Sequence, residues 1–427
     1  MRLATAAIVA VGSELLTPSR IDTNSLFITE RLNELGIDVV MKAVVGDDRA
    51  GLAHVFRTVL DRADLVVFSG GLGPTDDDLT REAVADVLGR ELREDPAITE
   101  RLRARFASRG YTGPMPENNR RQAMVPAGAQ VLENTTGSAP GLWLEEPDRA
   151  IALLPGPPRE LRPMLEALLA GRLRERAAGG ALMRRVLKIA GRIESQTDEE
   201  LHPLYVEWER WSPPVAATIL AALGQIELHL STRADSEEAA SRLLDRAAQE
   251  ACGILGADVF SADGRSMEEV VGELLASRGL RIALAESCTG GFLTSRLTDI
   301  PGSSRYVERA VVTYSNEAKI ELLGVPASAI DEHGAVSEVV AAAMASGIRE
   351  RAGVDIGVGV TGIAGPGGGT PDKPVGTVVI AVALRDAVES RRFRFHGERN
   401  QVKFQASQAA LDMIRRRLNT PGSSVPG

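Results

Sequence analysis

Cysteine is scarce in this chain: there are two in 427 residues, Cys252 and Cys288. They stand far apart and form no disulfide framework, which fits a reducing cytosol. The five histidines are scattered, with no H-x-x-x-H spacing, so no zinc site is expected. Aromatic residues make up only 4% of the chain, which leaves the core to aliphatic side chains and alanine. No apolar run reaches transmembrane length. The first residues run straight into a strand without the basic region of a signal peptide. A cytoplasmic protein without membrane contact is therefore expected. Positive charge is also in deficit, 49 Lys and Arg against 58 Asp and Glu, for a net charge of −9. Nucleic-acid binding needs a basic face, so no nucleic-acid partner is expected. The run Arg415 to Arg417 reads as cations placed at a helix C-terminus by the helix dipole. A chain of this length holds two or three domains.

The chemistry that is present is concentrated in loops. Leu280 to Leu284 reads as a short buried strand, and Phe292 to Leu297 begins a helical pattern. Between them lies A-E-S-C-T-G-G, residues 285–291. Ser287 therefore sits at a strand-to-helix handover. There it is either a helix N-cap or a nucleophile beside an anion-binding turn. Three further segments of the C-terminal third favour the second reading. V-V-T-Y-S-N-E-A-K carries Tyr314 and Lys319, G-V-T-G-I-A-G-P-G-G-G-T carries Thr361, Gly362 and Gly365, and F-H-G-E-R-N-Q-V-K carries Arg399 and Lys403. A serine hydroxyl needs a base, and a desolvated lysine can be one. The expected sequence of events is attack by Ser287 after proton transfer to Lys319, directly or through Tyr314. N–H groups at the start of the following helix, near Gly290, would then hold the oxyanion. Cys288, one residue on, should point into the core.

The N-terminal third alternates strand and helix: Ala6 to Val11, Val39 to Val45 and Leu65 to Phe68 are apolar runs separated by helical faces. This is a βαβαβ order with a doubly wound parallel sheet and ligands at the carboxyl ends of its strands. The loops there hold Gly12, Ser13 and Glu14, then Gly46, Asp47 and Asp48, then S-G-G-L-G-P-T-D-D-D-L-T. Gly70, Gly71, Gly73 and Thr75 would approach a phosphate, and Asp47, Asp77 and Asp78 would hold a divalent metal, Mg²⁺ or a transition metal such as Co²⁺. The alternative is a glycine turn with aspartate helix caps. Asn24 lies in D-T-N-S, close to these loops in the chain order. Residues 183–260 read as a small α+β module: a strand at V-L-K-I-A-G, a helix opening near Gln196, a strand at Ile226 to Leu230 and an amphipathic helix from Ala239 to Leu255. The last nine residues, from Asn419, have no apolar periodicity and are expected to be disordered.

In order along the chain, these motifs resemble the CinA family. Residues 265–418, with A-E-S-C-T-G-G, T-Y-S-N-E-A-K, G-V-T-G-I-A-G-P-G-G-G and F-H-G-E-R, are similar to its C-terminal domain and to stand-alone nicotinamide mononucleotide deamidases of the PncC type. The resemblance implies an α/β domain that hydrolyses the carboxamide of nicotinamide mononucleotide without a cofactor. It makes Ser287 the nucleophile, Lys319 and Tyr314 its proton-handling partners, and Thr361 and Arg399 further active-site residues. The family's second basic residue in the final motif is usually arginine, and here it is Lys403. Residues 1–170, with G-S-E-L-L, D-T-N-S, V-G-D-D, G-G-L-G-P-T-D-D-D-L-T, P-E-N-N-R-R-Q-A and L-P-G-P-P-R-E-L, resemble the MoaB/MogA-like domain. The resemblance implies a phosphorylated ligand at the glycine loop and metal-dependent ADP-ribose pyrophosphatase activity. Ser13 stands where the family often has aspartate, so an acidic role in that loop rests on Glu14. The middle module resembles the family's KH-like domain but has no G-x-x-G loop. It reads as a spacer or dimerisation module, and a homodimer is expected. The competing readings are a ligand-binding module fused to an inactive partner, and an interaction protein linked to competence.

Overall fold

The computed structural model describes residues 2–108, 113–177 and 179–419. The chain forms two compact units, one of residues 1–183 with 232–243 and one of residues 184–231 with 244–427. No helix among the described residues is long and apolar enough to cross a membrane. The disorder expected from Asn419 onward does not hold for Asn419 itself, which ends a helix, and otherwise concerns residues outside the described ones.

In the first unit a six-stranded sheet runs, across its width, Asp38–Val45, Thr5–Val11, Leu65–Ser69, Ala150–Leu154, Gly141–Glu145 and Gln130–Leu132. The first four are parallel, as their unbroken apolar runs suggest for strands covered on both faces. The last two are antiparallel, so the sheet is mixed rather than wholly parallel. The link between Glu145 and Ala150 is too short for a parallel crossover, which needs a helix-sized connection. Alternation along Thr5–Val11 divides the core. Ala6 and Ile8 pack with Ile28, Leu32, Leu161 and Leu165 on one face, and Ala7, Val9 and Val11 with Leu52, Phe56 and Val84 on the other.

The middle module is a four-stranded sheet in the order Val215–Ala222, Gln225–Ala234, Ala181–Ile189, Val259–Ser261, accompanied by helices Glu194–Trp208 and Glu237–Leu255. Strand Val215–Ala222 escapes sequence reading because V-A-A-T-I-L-A-A shows no regular polar alternation. It is largely exposed.

The C-terminal sheet runs Val307–Val312, Ile282–Glu286, Ile356–Gly362, Thr377–Ala383, Val388–Arg394. Its first three strands are parallel and the rest antiparallel. Helices Met267–Ser277, Phe292–Thr298 and Arg399–Asn419 cover one face through Val271, Leu275, Leu293, Leu297, Ala406 and Leu411. Helix Glu338–Ala352 covers the other, and it lies very close. A Cβ on Gly357 would stand 2.1 Å from the Ala345 carbonyl oxygen, and one on Gly359 2.4 Å from that of Ala341. Strand Ile282–Glu286, second in this order, delivers its carboxyl end, and with it Ser287, between two parallel neighbours.

Candidate functional site

Ser287 begins the turn after strand Ile282–Glu286, held by its N–H donating to the Val360 carbonyl at 2.9 Å. The turn closes on Gly290 and Gly291, both at positive φ (62° and 90°), where a side chain would be strained. Ser287 is 8% exposed and Lys319 1%. Lys319 Nζ lies 3.3 Å from Ser287 Oγ, 2.9 Å from the Thr313 carbonyl oxygen and 3.3 Å from that of Ser315. Lys319 reaches this point because Ser315 caps helix Asn316–Leu323, its side-chain oxygen accepting from the Ala318 N–H and starting the helix at the right register. Burial pushes the Lys319 amine below the usual lysine range, against weaker opposing pulls from Cys288 and Glu317. A neutral amine has two N–H groups and one lone pair. In that form the two carbonyls would take the N–H groups and leave the lone pair for the Ser287 hydroxyl.

The N-cap reading of Ser287 does not hold. The residue that caps helix Phe292–Thr298 is Glu286, itself 1% exposed. Its carboxylate accepts from the N–H groups of Gly291 (3.0 Å), Leu293 (3.1 Å) and Thr294 (2.8 Å) and from the Thr294 hydroxyl (2.5 Å). Sequence reasoning missed this residue; a glutamate at a strand end carries no signal of being buried. Its presence corrects a second expectation. The helix-start N–H groups are occupied by a protein carboxylate and are not free for an oxyanion. Among the described residues, the N–H groups of the turn left without a partner are those of Cys288 and Thr289. The Thr289 and Thr313 hydroxyls are also buried without a partner, open to a substrate group or water. Cys288 points into the core cluster, as expected, and burial pushes its thiol up to about 12.

Tyr314 is not between Lys319 and Ser287. It is 62% exposed, and its hydroxyl accepts from Arg399 at 2.8 Å. The relay through Tyr314 is therefore unnecessary, since Lys319 meets Ser287 directly. Arg399 also donates to the Gly365 carbonyl at 2.7 Å, so Tyr314, Arg399 and Gly365 form one clasp. Lys403, one helical turn after Arg399, stands near the nucleophile turn: a Cβ on Gly290 would be 3.8 Å from its Nζ. Two cations on one helix face are thus brought towards Ser287. Thr361 is buried on the strand beside Ser287 and donates to the Ala335 carbonyl at 2.8 Å, anchoring the loop before helix Glu338–Ala352. Gly362 is not open to a ligand on the side where a Cβ would point, because Thr377 and Val378 crowd it at 2.8 Å.

In the first unit the glycine loop is shaped by its own chain. A Cβ on Gly70 would stand 2.2 Å from the Val11 carbonyl oxygen and one on Gly71 2.1 Å from the Thr80 hydroxyl. Asp78 accepts from the Gly73 N–H (2.7 Å), the Thr75 N–H (2.9 Å) and the Thr75 hydroxyl (2.5 Å). Behind the loop Arg81, 1% exposed, donates to the carbonyls of Leu72 (2.8 Å) and Gly73 (2.9 Å). Asn24 donates to Ser69 Oγ and to the Gly156 carbonyl, and Asp47 accepts from the Ser13 N–H at 2.7 Å. Glu14 curls back over Gly12. The expected metal site is not supported by these positions. No group of three His, Cys, Asp or Glu side chains suited to a metal ion occurs among the described residues. Asp78 spends its oxygens on the loop, Asp47 braces Ser13, and Asp77 is exposed. The physical reason is that a carboxylate beside free N–H groups satisfies them first.

Residues 264–418 match the family described as "CinA C-terminal domain", residues 7–175 "Probable molybdopterin binding domain" and residues 184–261 "Damage-inducible protein CinA KH domain". A CinA-like protein of Koribacter versatilis is 50% identical over 417 residues, covering 97% of this chain and 99% of that one. A CinA-like protein of Acidobacterium capsulatum is 46% identical, with the same coverage of 97% and 99%. Among solved structures, a CinA superfamily protein from Klebsiella pneumoniae is 38% identical and covers 36% of this chain and 98% of its own, at a TM-score of 0.35. With full-length relatives at this identity and all three segments matched in order, the chain belongs to the CinA family.

Proposed function

We propose that the C-terminal domain is a serine–lysine amidohydrolase that converts nicotinamide mononucleotide to nicotinate mononucleotide and ammonia. The observation that carries the reading is Lys319 Nζ, buried, bonded to two carbonyls and 3.3 Å from Ser287 Oγ. Ser287 Oγ attacks the carboxamide carbon as its proton passes to Lys319. The developing oxyanion is met by the N–H groups of Cys288 and Thr289, the first of them in the position next to the nucleophile that serves this purpose in other serine hydrolases. Lys319 returns the proton to the departing nitrogen, ammonia leaves, and water deprotonated by Lys319 cleaves the acyl-enzyme. Arg399 and Lys403 supply positive charge for the substrate phosphate. No step calls for a metal.

The test is ammonia release from nicotinamide mononucleotide by the full chain. Ser287→Ala should abolish it with the melting temperature preserved, and Cys288→Ala should retain it. Loss in Cys288→Ala with activity in Ser287→Ala would reverse the assignment. For the first unit we infer a phosphorylated ligand at residues 70–75, with the buried Arg81 guanidinium adding positive potential behind the loop. ADP-ribose cleavage to AMP, with divalent metal added, is the reaction to assay there. A metal dependence would draw ligands from the diphosphate and water, as Mg²⁺ commonly does, since Asp47, Asp77 and Asp78 do not form a cage. The two nucleotides are the small-molecule partners of this reading, which makes the protein an enzyme of pyridine nucleotide recycling.

A further inference from the structure

The second unit holds a cavity of about 500 Å³ that none of Ser287, Tyr314, Lys319, Thr361 or Arg399 lines. One wall comes from the middle module, around Gly191 and the turn joining Val215–Ala222 to Gln225–Ala234. The other comes from strand Val388–Arg394 and the last helix. The volume lies within the ordinary range for small-molecule sites. The wall is built firmly. Asp258 accepts from Arg192 Nε at 2.5 Å and from Arg416 Nη2 at 2.8 Å, and Asp412 accepts from Arg416 Nε at 2.7 Å. Arg415, 4% exposed, donates to the Ala257 carbonyl at 2.7 Å. The run lies at the helix C-terminus as expected from sequence, and Arg415 and Arg416 also find partners in the middle module. It bolts the middle module to the last helix.

The remaining lining groups have a common chemistry. Phe393 and Phe395 lie parallel, ring planes 9° apart and centroids 5.4 Å, and give the cavity an aromatic surface. Gln225 and Gln408 are joined at 3.2 Å, Gln225 also donates to Glu227 and Gln408 accepts from Arg296, so each amide keeps a second N–H for an acceptor on the edge of a heterocycle. Arg391 lines the cavity, has no ion-pair partner among the described residues and lies 5.9 Å from the Phe393 ring. Glu194 lines it too, without a cation partner among the described residues, and a carboxylate is the usual acceptor for ribose hydroxyls. The other lining charges neutralise one another, so a single free cation suits one phosphate rather than a di- or triphosphate.

We propose that this cavity is a binding site for a nucleoside monophosphate, separate from the Ser287 site and from the glycine loop. The middle module, which lacks the loop of a nucleic-acid-binding KH domain, contributes one wall of it. Gln408 also accepts from Arg296 at 2.7 Å, and Arg296 belongs to the helix that follows Ser287, so a ligand here touches the framework of the nucleophile turn. The binding claim does not depend on the amidohydrolase reading.

The test is calorimetric titration of the full chain with adenosine 5′-monophosphate. Arg391→Glu and Ala409→Trp, the second filling the cavity, should each weaken binding at least tenfold. The binding component that these two variants weaken should persist in Asp78→Asn, whatever that variant does to nucleotide held at the glycine loop. Absence of binding to the parent chain overturns the proposal, and so does equal affinity in Arg391→Glu, which would move the ligand to another site. Should Ala409→Trp fail to fold, the exposed Arg391→Glu variant decides alone, its melting temperature serving as control.

Discussion

Replacing Lys319 by methionine keeps the length and removes the amine. Two N–H donations, to the Thr313 and Ser315 carbonyls, are lost together with the contact to Ser287. Each backbone bond is worth about 0.5–1.5 kcal/mol net. That loss is offset in part because a buried amine no longer has to be kept uncharged. The fold should therefore survive with a melting temperature a few degrees lower. Activity should respond far more. A positioned base contributes about 10²–10⁴ in rate, and at about 1.4 kcal/mol per decade this is roughly 3–5 kcal/mol of barrier. The assay is ammonia release at saturating nicotinamide mononucleotide, taken as a function of pH. The sign follows from the shift. Burial lowers the Lys319 pKa, the reaction needs the neutral amine, and so the parent rate should fall as pH drops through that lowered value and level off above it. Lys319→Arg, which cannot deprotonate in this range, should be as inactive as Lys319→Met. Turnover within threefold of the parent in either variant, or an acidic limb that persists unchanged in Lys319→Met, would refute the role of Lys319 as base.

Glu286→Gln replaces a carboxylate that accepts four bonds by an amide whose NH₂ must face N–H donors. A loss of about 1–3 kcal/mol in stability is expected, along with a fall in kcat at little-changed KM, and an unchanged kcat would separate this cap from the nucleophile's placement. Arg399→Ala should raise KM for nicotinamide mononucleotide at least tenfold while leaving hydrolysis of a phosphate-free nicotinamide riboside nearly unchanged; equal damage to both substrates would show that Arg399 acts through the Tyr314–Gly365 clasp instead. Asp78→Asn should loosen the glycine loop by removing acceptors for Gly73 and Thr75, weakening phosphorylated-ligand binding in the first unit, and ammonia release measured on the same sample should stay at the parent level.

Local pattern was enough to find most of the strands and helices that position both sites, because burial on two faces writes unbroken apolar runs and helix faces write their own period. It was also enough to single out the loops at the strand ends, and in the C-terminal domain the serine, the lysine and the two final cations do converge. What the sequence could not decide are relations between residues distant in the chain. That Ser287 is not the helix cap turned on Glu286, whose carboxylate already fills the helix start, and that a buried amine meets its hydroxyl turned on Lys319, 3.3 Å away. Tyr314 has a residue type suited to proton relay, yet its hydroxyl is drawn outward by Arg399. Gly70, Gly71 and Gly73 read as a phosphate cradle, but contacts with Val11, Thr80 and Asp78 already require them to be glycine. Asp78 beside them looks like a metal ligand in one dimension and braces the loop in three. Arg415 and Arg416 follow the helix-dipole rule by position and are nevertheless committed to Asp412, Asp258 and the Ala257 carbonyl. Periodicity reports which side of an element is buried. Which polar group meets which is settled by long-range packing, where each donor and acceptor removed from water must find a partner.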